Sequence, residues 1–287
     1  MVPSLVVYFG PGEADRGWRD AVEAVALSRG WTLNWLGASE GEISPEDERF
    51  ILECSPPASP DADGMDNVAI LVRPTITDRV PCEDATTLEN ITRQSEWLAR
   101  CAQLESEGTS IVDGNEIHIT LPKLGDVVRA PLDAHYENVE PSLAVYSEFP
   151  LVDGAKANWR ASLFHCSGRR SRVVASDDGP TEIDLTGRAG PLISGPYIHL
   201  PKGRWRLKTV LEIDPQGGAS QLAFDWGDNH HRVYFEAAPN VAGIYEVLME
   251  TIRHEAWCGE FRILSLHPHF KGKLSFSGCD VEYVSQI

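Results

Sequence analysis

The chain has 287 residues, of which 42% are hydrophobic and 24% are charged. Both fractions are typical of globular proteins and exclude a wholly disordered or fibrous chain, while the length favours two domains. Acidic residues number 43 against 25 basic ones, giving a formal net charge of −18. A field of this sign repels phosphate backbones, so we expect no nucleic-acid partner. We also expect no membrane insertion, because no apolar run approaches the roughly 20 residues that span a bilayer.

The first part of the chain has the pattern of alternating strands and helices. The apolar run Leu5–Phe9 predicts a strand, and apolar residues at helical spacing follow it. Trp31–Leu36 predicts a second strand, so residues 5–36 resemble a βαβ unit of a parallel sheet. Two more strand-like runs and a longer helix come next. We therefore predict a small open α/β domain with a mainly parallel sheet over residues 1–125.

After about residue 125, short strand-like segments separated by turn residues replace the helical period. The clearest of them is Arg204–Ile213, in which apolar and charged residues alternate. A sheet with one buried face requires this alternation, and it places Trp205 in the core. Because no helical segments separate the strands, we predict an all-β jelly roll or β-sandwich over residues 126–287.

Most familiar catalytic signatures are absent, including the Walker loop, H-E-x-x-H and G-x-S-x-G. The turn Gly10–Gly12 lies between a strand and a helix, as a phosphate-binding turn would, but its glycines do not continue in the G-x-G-x-x-G spacing. Asp61 and Asp63 resemble the Asp-x-Asp metal motif of many sugar-nucleotide glycosyltransferases. Short motifs often match by accident, so a plain turn and a solvated acidic loop are the favoured interpretations.

Cysteines and histidines give no metal-ligand pattern. The six cysteines are scattered without a C-x-x-C pair, which favours reduced, mostly buried thiols over a zinc knuckle or a disulfide framework. The late histidines, His230, His231, His267 and His269, have no third ligand at a fixed spacing. We therefore expect no metal, no cofactor and no catalytic residue, and an enzyme is the less favoured class.

Several motifs in the second half occur in an order that a known class of module shares. Gly195–Tyr197 precedes a short strand, and Leu200–Trp205 then leads into the long strand. Phe261–Ile263 and His269–Leu274 match the closing strands of the same pattern. Together, residues 180–287 resemble the carbohydrate-binding-type β-sandwich, or jelly-roll, accessory modules of bacterial surface-polysaccharide proteins. The resemblance implies a sandwich fold and a glycan ligand, and it leaves the N-terminal domain unexplained.

Sugars present apolar C–H faces to aromatic rings and hydroxyl groups to polar side chains, and the segment Asp225–His231 carries both kinds of side chain. We expect its Trp to stack on a pyranose ring, and two arginines of the long strand to favour an acidic polymer. The alternative is that the Trp continues a buried strand face, that the polar residues only turn the chain, and that the arginines form a solvated face. The predicted glycan-binding residues are Trp226, Asp228, Asn229, His230, Arg204 and Arg206.

The sequence therefore predicts non-catalytic binding of a bacterial exopolysaccharide, capsular polysaccharide or other glycan through the C-terminal sandwich. One alternative is a divergent sugar-nucleotide or glycan-modifying enzyme that uses the N-terminal domain. Another is a receptor-binding structural subunit of a cell-surface or phage-like assembly, and both a homo-oligomer and a larger assembly are compatible with the sequence. The first apolar stretch is short and lacks a basic leader, so we expect a cytoplasmic protein unless a specialised machine exports it.

Overall fold

The computed structural model describes the following residues: 5–9, 13–36, 50–55, 68–72, 87–106, 110–112, 117–130, 140–166, 171–173, 179–216 and 218–287. The chain divides into two compact units. The first comprises residues 1–84 and 100–139, and the second comprises residues 85–99 and 140–287. The domain boundary near residue 125 stays a prediction. The Gly10–Gly12 turn and the Asp61/Asp63 loop lie outside the described residues.

The first unit contains a five-stranded sheet in the order β2-β3-β1-β4-β5, and a separate hairpin of β6 and β7. Its strands and helices, with α2 shared between the two units, are β1 (Leu5–Phe9), α1 (Glu13–Ser28), β2 (Thr32–Leu36), β3 (Phe50–Ser55), β4 (Val68–Val72), α2 (Thr87–Ser106), β5 (Ser110–Val112), β6 (His118–Leu121) and β7 (Gly125–Val128). Among the described residues, no helix is long and apolar enough to cross a membrane.

This sheet is mixed, which corrects the expectation of a mainly parallel one. β1 pairs in parallel with β4, and β4 pairs in parallel with β5. However, β3 inserts between β1 and β2 and runs antiparallel to both. The predicted βαβ unit is therefore split by a third strand. The sequence does not show the insertion of β3 between β1 and β2, because the pairing partner of a strand is not encoded in its local pattern.

Helical spacing places one face of α1 in the core of the first unit. Trp18, Val22 and Ala26 lie four residues apart on that face, and all three are completely buried. They belong to one hydrophobic cluster with β1 and with apolar side chains of the β6–β7 hairpin. The guanidinium group of Arg129 lies 5.1 Å from the centroid of the Trp18 ring and makes a cation–π contact with it.

The second unit is built from antiparallel strands, two short 3₁₀ helices and residues 87–99 of α2. Its strands are β8 (Lys156–Arg160), β9 (His165–Cys166), β10 (Ser171–Val173), β11 (Thr181–Asp184), β12 (Gly190–Leu200), β13 (Gly203–Asp214), β14 (Leu222–Gly227), β15 (Arg232–Ala237), β16 (Gly243–Arg253), β17 (Trp257–Ser265) and β18 (Lys273–Ser285), and the 3₁₀ helices are Pro141–Tyr146 and Ala161–Leu163.

These strands form two sheets. The front sheet has the order β15-β14-β17-β12-β9, and the back sheet has the order β10-β11-β18-β13-β16, with β8 also paired to β18. Aromatic side chains join the sheets across the core: Phe276 of the back sheet stacks on Phe261 of the front sheet with ring centroids 6.4 Å apart. The β-sandwich predicted for the C-terminal part of the chain is confirmed, and its predicted bounds, residues 126–287, stay a prediction.

A tight connection carries the chain from the front sheet to the back sheet between Leu200 and Gly203. The indole N–H of Trp205 donates a hydrogen bond to the carbonyl oxygen of Pro201 at 2.9 Å, and the ring is completely buried, as predicted. Gly203 has a φ of +149°, and a Cβ atom there would come within 2.5 Å of the Tyr283 ring. The Leu-Pro-x-Gly-x-Trp motif thus fixes this connection.

Candidate ligand-binding face of the front sheet

The outward face of the front sheet gathers polar and aromatic side chains from four strands. Along β17, Phe261 and Ile263 point into the core, so Glu260 and Arg262 point outward. Neighbouring strands place other side chains around these two on the same face. We call this surface the front face and define it by Tyr197, Asp225, Arg232, Tyr234, Glu260 and Arg262.

Asp225 lies at the centre of the front face between two arginines. It is directly opposite Arg262 in the β14–β17 ladder, and its two carboxylate oxygens accept one hydrogen bond from each arginine. The Arg232 bond measures 2.7 Å and the Arg262 bond measures 2.5 Å. Asp225 is 6% exposed, so the carboxylate is a nearly buried anion that two cations neutralise.

Arg232 connects Asp225 to a second carboxylate. Its other terminal nitrogen donates to Glu260, which lies opposite Gly227 in the ladder. A Cβ atom at Gly227 would come within 2.1 Å of the His231 carbonyl oxygen and 2.9 Å of the Arg232 side chain. The glycine therefore leaves room for this arginine. Hydrogen bonds to Asp225 and Glu260 outweigh the effect of burial and raise the pKa of Arg232.

Tyr197 lies at an irregularity in β12, where the pairing register with β17 shifts between Pro196 and Ile198. Its φ is +66°, a left-handed conformation that costs energy for a side chain of this size. The bulge turns the ring outward with 41% of its surface exposed, and its hydroxyl group donates to Glu260 at 3.0 Å. Burial and the Glu260 bond raise the pKa of Tyr197, so the phenol stays protonated at neutral pH.

Tyr234 lies at the opposite side of the front face, on the edge strand β15. Its ring is 50% exposed, and its hydroxyl group donates to Glu236 at 2.7 Å, which raises the pKa of Tyr234. Ladder pairing places Tyr234, Asp225, Arg262 and Ser194 in one row across four strands. At about 4.8 Å per strand, this row is about 14 Å long. That length exceeds one sugar ring.

Helix α2 lies against the front sheet at His199. The backbone N–H of His199 donates to the Ser95 hydroxyl group at 2.9 Å, and Ser95 is completely buried. Burial lowers the pKa of His199, while the nearby Glu96 acts against that effect. Burial also raises the pKa of the neighbouring Cys258 thiol to about 11. Next to helix α2, at this border of the front face, His199 is therefore neutral and the Cys258 thiol is unreactive.

Chemically, the front face offers hydrogen bonds and ring surfaces. Its carboxylates are neutralised by arginines, and both of its tyrosines retain their protons. Among the described residues, no group of three or more His, Cys, Asp or Glu side chains could hold a metal ion. The arrangement therefore offers ring surfaces for stacking and hydrogen-bonding groups held at fixed positions.

The predicted glycan residue Trp226 lies in the core of the sandwich. Its ring has no exposed surface, and it packs edge-on against Trp257 with centroids 5.4 Å apart. Because adjacent residues of a strand point to opposite faces, Asp225 faces outward and Trp226 faces inward. This placement is the alternative that the sequence left open, and it leaves the ring no face on which a sugar could stack.

Asp228, Asn229 and His230 lie together in the turn between β14 and β15. One oxygen of Asp228 accepts the backbone N–H groups of His230 and His231, each at 2.8 Å, so Asp228 holds the turn in the manner of an Asx turn. Its other oxygen lies 3.3 Å from Arg253. Asn229 and His230 are exposed, and a role for them in binding stays a prediction.

Replacing Asp228 with alanine is expected to lower the free energy of unfolding by about 1.5–3 kcal/mol at neutral pH, because charge-assisted hydrogen bonds are lost. Although burial alone would raise it, the pKa of Asp228 is lowered by the two backbone hydrogen bonds and by Arg253. A lowered folded-state pKa means that this stabilisation is present above the unfolded-state pKa and is lost as pH falls through the folded-state value.

Urea unfolding of the wild type and of Asp228→Ala as a function of pH measures this effect. We expect the difference in free energy to be full at neutral pH and to shrink as the pH falls below about 4. Asp228→Asn serves as a control because it retains an oxygen acceptor without the charge. A difference that is independent of pH would contradict the assignment.

Arg204 and Arg206 lie on the back sheet, whereas the turn at Asp228 joins two strands of the front sheet. Both pair with Glu250 of the neighbouring strand β16, at 2.7 Å each, and Arg206 also lies 3.5 Å from Glu282. The bonds to Glu250 raise the pKa of Arg206. The predicted glycan residues therefore fall into two groups on different sheets, and the arginines are neutralised by carboxylates of this chain.

The residues of the front face were missed as a site because no contiguous motif contains all of them, although Asp225 and Tyr197 each lie in a segment that the sequence analysis named. One signal was present in β17, where Cys258, Glu260 and Arg262 alternate with Trp257, Gly259 and Phe261. Charged residues that alternate with core residues mark the outward face of a strand. Tyr197 also belongs to the Gly195–Tyr197 motif that carries the resemblance to sugar-binding modules.

No protein-family model matches this sequence, and no curated protein matches it. Among solved structures, similar chains include the galactotriose complex of TmCBM61, at 10% identity and a TM-score of 0.32, covering 42% of this chain and 86% of the other. The CBM22-1 xylan-binding domain of Paenibacillus barcinonensis Xyn10C has 11% identity and a TM-score of 0.33, covering 47% and 98%.

A longer part of the chain is similar to a glycosylation-associated protein (Gap123) complex from Streptococcus agalactiae. This match covers 76% of this chain and 39% of the other, at 9% identity and a TM-score of 0.35. The structural neighbours thus include carbohydrate-binding modules with jelly-roll folds, the class that the sequence motifs resemble. With TM-scores below 0.5, they do not identify a ligand for this chain.

Proposed function

We propose that the second unit binds a glycan on its front face. The observation that carries this proposal is the pair of exposed tyrosines, Tyr197 and Tyr234, on either side of a fixed network of arginines and carboxylates. Tyrosine rings provide the apolar surface on which the C–H face of a sugar stacks. The network provides hydrogen-bond donors and acceptors for the hydroxyl groups of a sugar. Its side chains are already fixed, so they do not need to be ordered on binding.

The network is ordered before any ligand arrives. Asp225 fixes Arg232 and Arg262, and Glu260 fixes Arg232 and Tyr197. A ligand therefore loses little affinity to the ordering of these side chains. The remaining N–H groups of the arginines and the second lone pairs of the carboxylate oxygens can still bind sugar hydroxyls. The bulge at Tyr197 supports the same proposal, because strained backbone is often found at ligand sites.

We expect the ligand to be recognised through its hydroxyl groups rather than through a carboxylate. Both arginines of the front face already pair with Asp225 or Glu260, and Glu236 adds an anion next to Tyr234. An anionic sugar would compete with these carboxylates for the arginines and would lose hydration energy in doing so. This differs from the acidic polymer that the positions of Arg204 and Arg206 suggested in the sequence.

A glycan array with neutral and acidic glycans, probed with the whole protein, tests the proposal. For a glycan that binds, calorimetry of Tyr234→Ala is expected to show an affinity about 10- to 100-fold weaker, because a stacking ring is lost. We expect a similar loss for Tyr197→Ala. Phe270→Ala is the matched control, since this ring is 91% exposed on the loop between β17 and β18, outside the front face.

Two results would contradict the proposal. One is the absence of any bound glycan on the array. The other is a glycan whose affinity is equally unchanged in Tyr234→Ala, in Tyr197→Ala and in the Phe270→Ala control. Melting temperatures of the three variants complete the test, because an affinity loss counts only where the variant stays folded. Exposed tyrosines contribute little to stability, so we expect Tyr234→Ala to melt near the wild type.

A further inference from the structure

Strand β16 forms one edge of the back sheet. It pairs with β13 along its whole length, from Gly243 to Ile213 at one end and from Arg253 to Gly203 at the other, without a register shift. Among the described residues, no strand pairs with its second side. The side chains of this strand that point away from the core include three exposed apolar residues, Ile244 at 77%, Leu248 at 52% and Ile252 at 51%.

This edge lacks three of the features that protect sheet edges in monomeric proteins, although it does carry two outward glutamates and the buried Arg253. Such edges are short, contain proline or lysine, or are interrupted by a bulge. β16 is 11 residues long, contains neither proline nor lysine, and has a continuous register. A long, regular edge with exposed apolar side chains is a template for pairing with another strand. This edge of β16 is therefore available for pairing with another strand.

The outward residues of β16 form a palindrome centred on Leu248: a glutamate lies two positions away on each side, and an isoleucine lies four positions away on each side. In chain order they are Ile244, Glu246, Leu248, Glu250 and Ile252. An antiparallel pair related by a two-fold axis places each residue opposite the one at equal distance on the other side of the axis. With the axis at Leu248, leucine faces leucine and Ile244 faces Ile252 of the second copy. All three apolar side chains of each copy are then matched.

The same pairing places Glu246 opposite Glu250 of the second copy, and neighbouring cations neutralise both. The ammonium group of Lys208 lies 2.7 Å from Glu246, and Arg204 and Arg206 each lie 2.7 Å from Glu250. These hydrogen bonds lower the pKa of Glu250 and raise the pKa of Lys208, so the pairs stay charged and mutually satisfied. Repulsion between the two glutamates across the edge is thereby reduced.

We propose that β16 pairs antiparallel with β16 of a second copy of this chain, about a two-fold axis at Leu248, and joins two back sheets into one continuous sheet. The partner is a second copy because the two-fold axis brings the apolar positions of both strands opposite one another, while each opposed glutamate is paired with a cation of its own sheet. The front face lies on the other sheet. Dimerisation would thus present two front faces to a polymeric glycan, which binds two linked sites more tightly than one.

Sedimentation velocity of the whole protein over a range of concentrations tests the pairing. We expect a dimer that dissociates on dilution, and loss of that dimer in Leu248→Lys, which brings two positive charges together on the axis. Val210→Lys is the matched control, because Val210 is 45% exposed on the same outward face but lies on the inner strand β13. We expect this control to dimerise like the wild type.

Crosslinking tests the register. Directly opposed residues of an antiparallel pair have Cβ atoms about 4.5–5.5 Å apart, so Leu248→Cys is expected to form a disulfide with its own copy under mild oxidation. Val210→Cys controls for random crosslinking and for the native cysteines, and we expect it to remain monomeric on a non-reducing gel. A protein that is monomeric at all concentrations overturns the proposal, even if β16 then binds a different protein. A dimer that survives Leu248→Lys, or one that Leu248→Cys fails to link, also overturns it.

Discussion

Replacing Trp226 with alanine is expected to lower the free energy of unfolding by about 3–5 kcal/mol, the usual cost of removing a large aromatic side chain from a core. The ring is completely buried and packs against Trp257. Trp257 in turn lies under the guanidinium group of Arg253, 4.3 Å from its ring centroid. The cavity left by Trp226 would therefore loosen the packing of three side chains, Trp226, Trp257 and Arg253, that join β14, β17 and β16.

Urea denaturation followed by tryptophan fluorescence and circular dichroism measures this loss. Phe270→Ala removes an aromatic ring of nearly full exposure and is expected to change the free energy of unfolding by less than about 0.5 kcal/mol. The folded fraction of Trp226→Ala should retain its affinity for a glycan, since the ring has no exposed surface. A variant that melts like the wild type but loses glycan affinity would instead support the sequence-based prediction of a stacking Trp226.

Trp226 illustrates the difference between features of this fold that a short segment of sequence predicts and features that depend on contacts between strands. The strand predicted at Arg204–Ile213 lies within β13, Gly203–Asp214, because its period of two residues is complete within the segment itself. In β14 the period of two residues cannot be recognised, because all six of its residues are buried. Asp225 is covered by arginines from two neighbouring strands, and those contacts cannot be inferred from the six residues alone.

The front face could not be predicted as a site because its members are brought together by strand order. Tyr197 and Glu260 are 63 positions apart in the chain, yet they are hydrogen-bonded. Their contact depends on the pairing of β12 with β17 and on the bulge at Tyr197. The sequence motif Gly195–Tyr197 marks this position without showing what the ring faces. A register error of one residue would turn either side chain to the opposite face of the sheet.

The role of the β13 arginines in binding an anionic polymer was predicted from their chemical type alone, and it stays a prediction. In the sequence, Arg204 and Arg206 form part of a basic run on an outward strand face. In the structure, a single carboxylate, that of Glu250, bonds to both. Because an outward basic residue finds its partner on the adjacent strand, a charged run in sequence says little about the charge of the assembled surface.

Replacing Asp225 with asparagine is expected to lower the free energy of unfolding by about 3 kcal/mol, because removing one member of a buried ion pair leaves charges without a partner. Arg232 and Arg262 both lose their carboxylate, and Arg232 retains only Glu260. Asp280→Asn is the matched control. This residue is exposed on the back sheet, where it accepts a hydrogen bond from Asn158 at 2.8 Å, and we expect a change below about 0.5 kcal/mol.

A double-mutant cycle with Arg262→Met separates the ion pair from the packing around it. If Asp225 and Arg262 stabilise each other directly, the double variant should be less destabilised than the two single changes together, by about 1–3 kcal/mol. Additive effects would mean that the two side chains act independently.

The same variants also test binding. Since Asp225 holds both arginines in place, Asp225→Asn should weaken glycan affinity even where the protein stays folded. Unchanged affinity in that variant would remove the Asp225 network from the proposed site and leave the two tyrosines as its sole determinants.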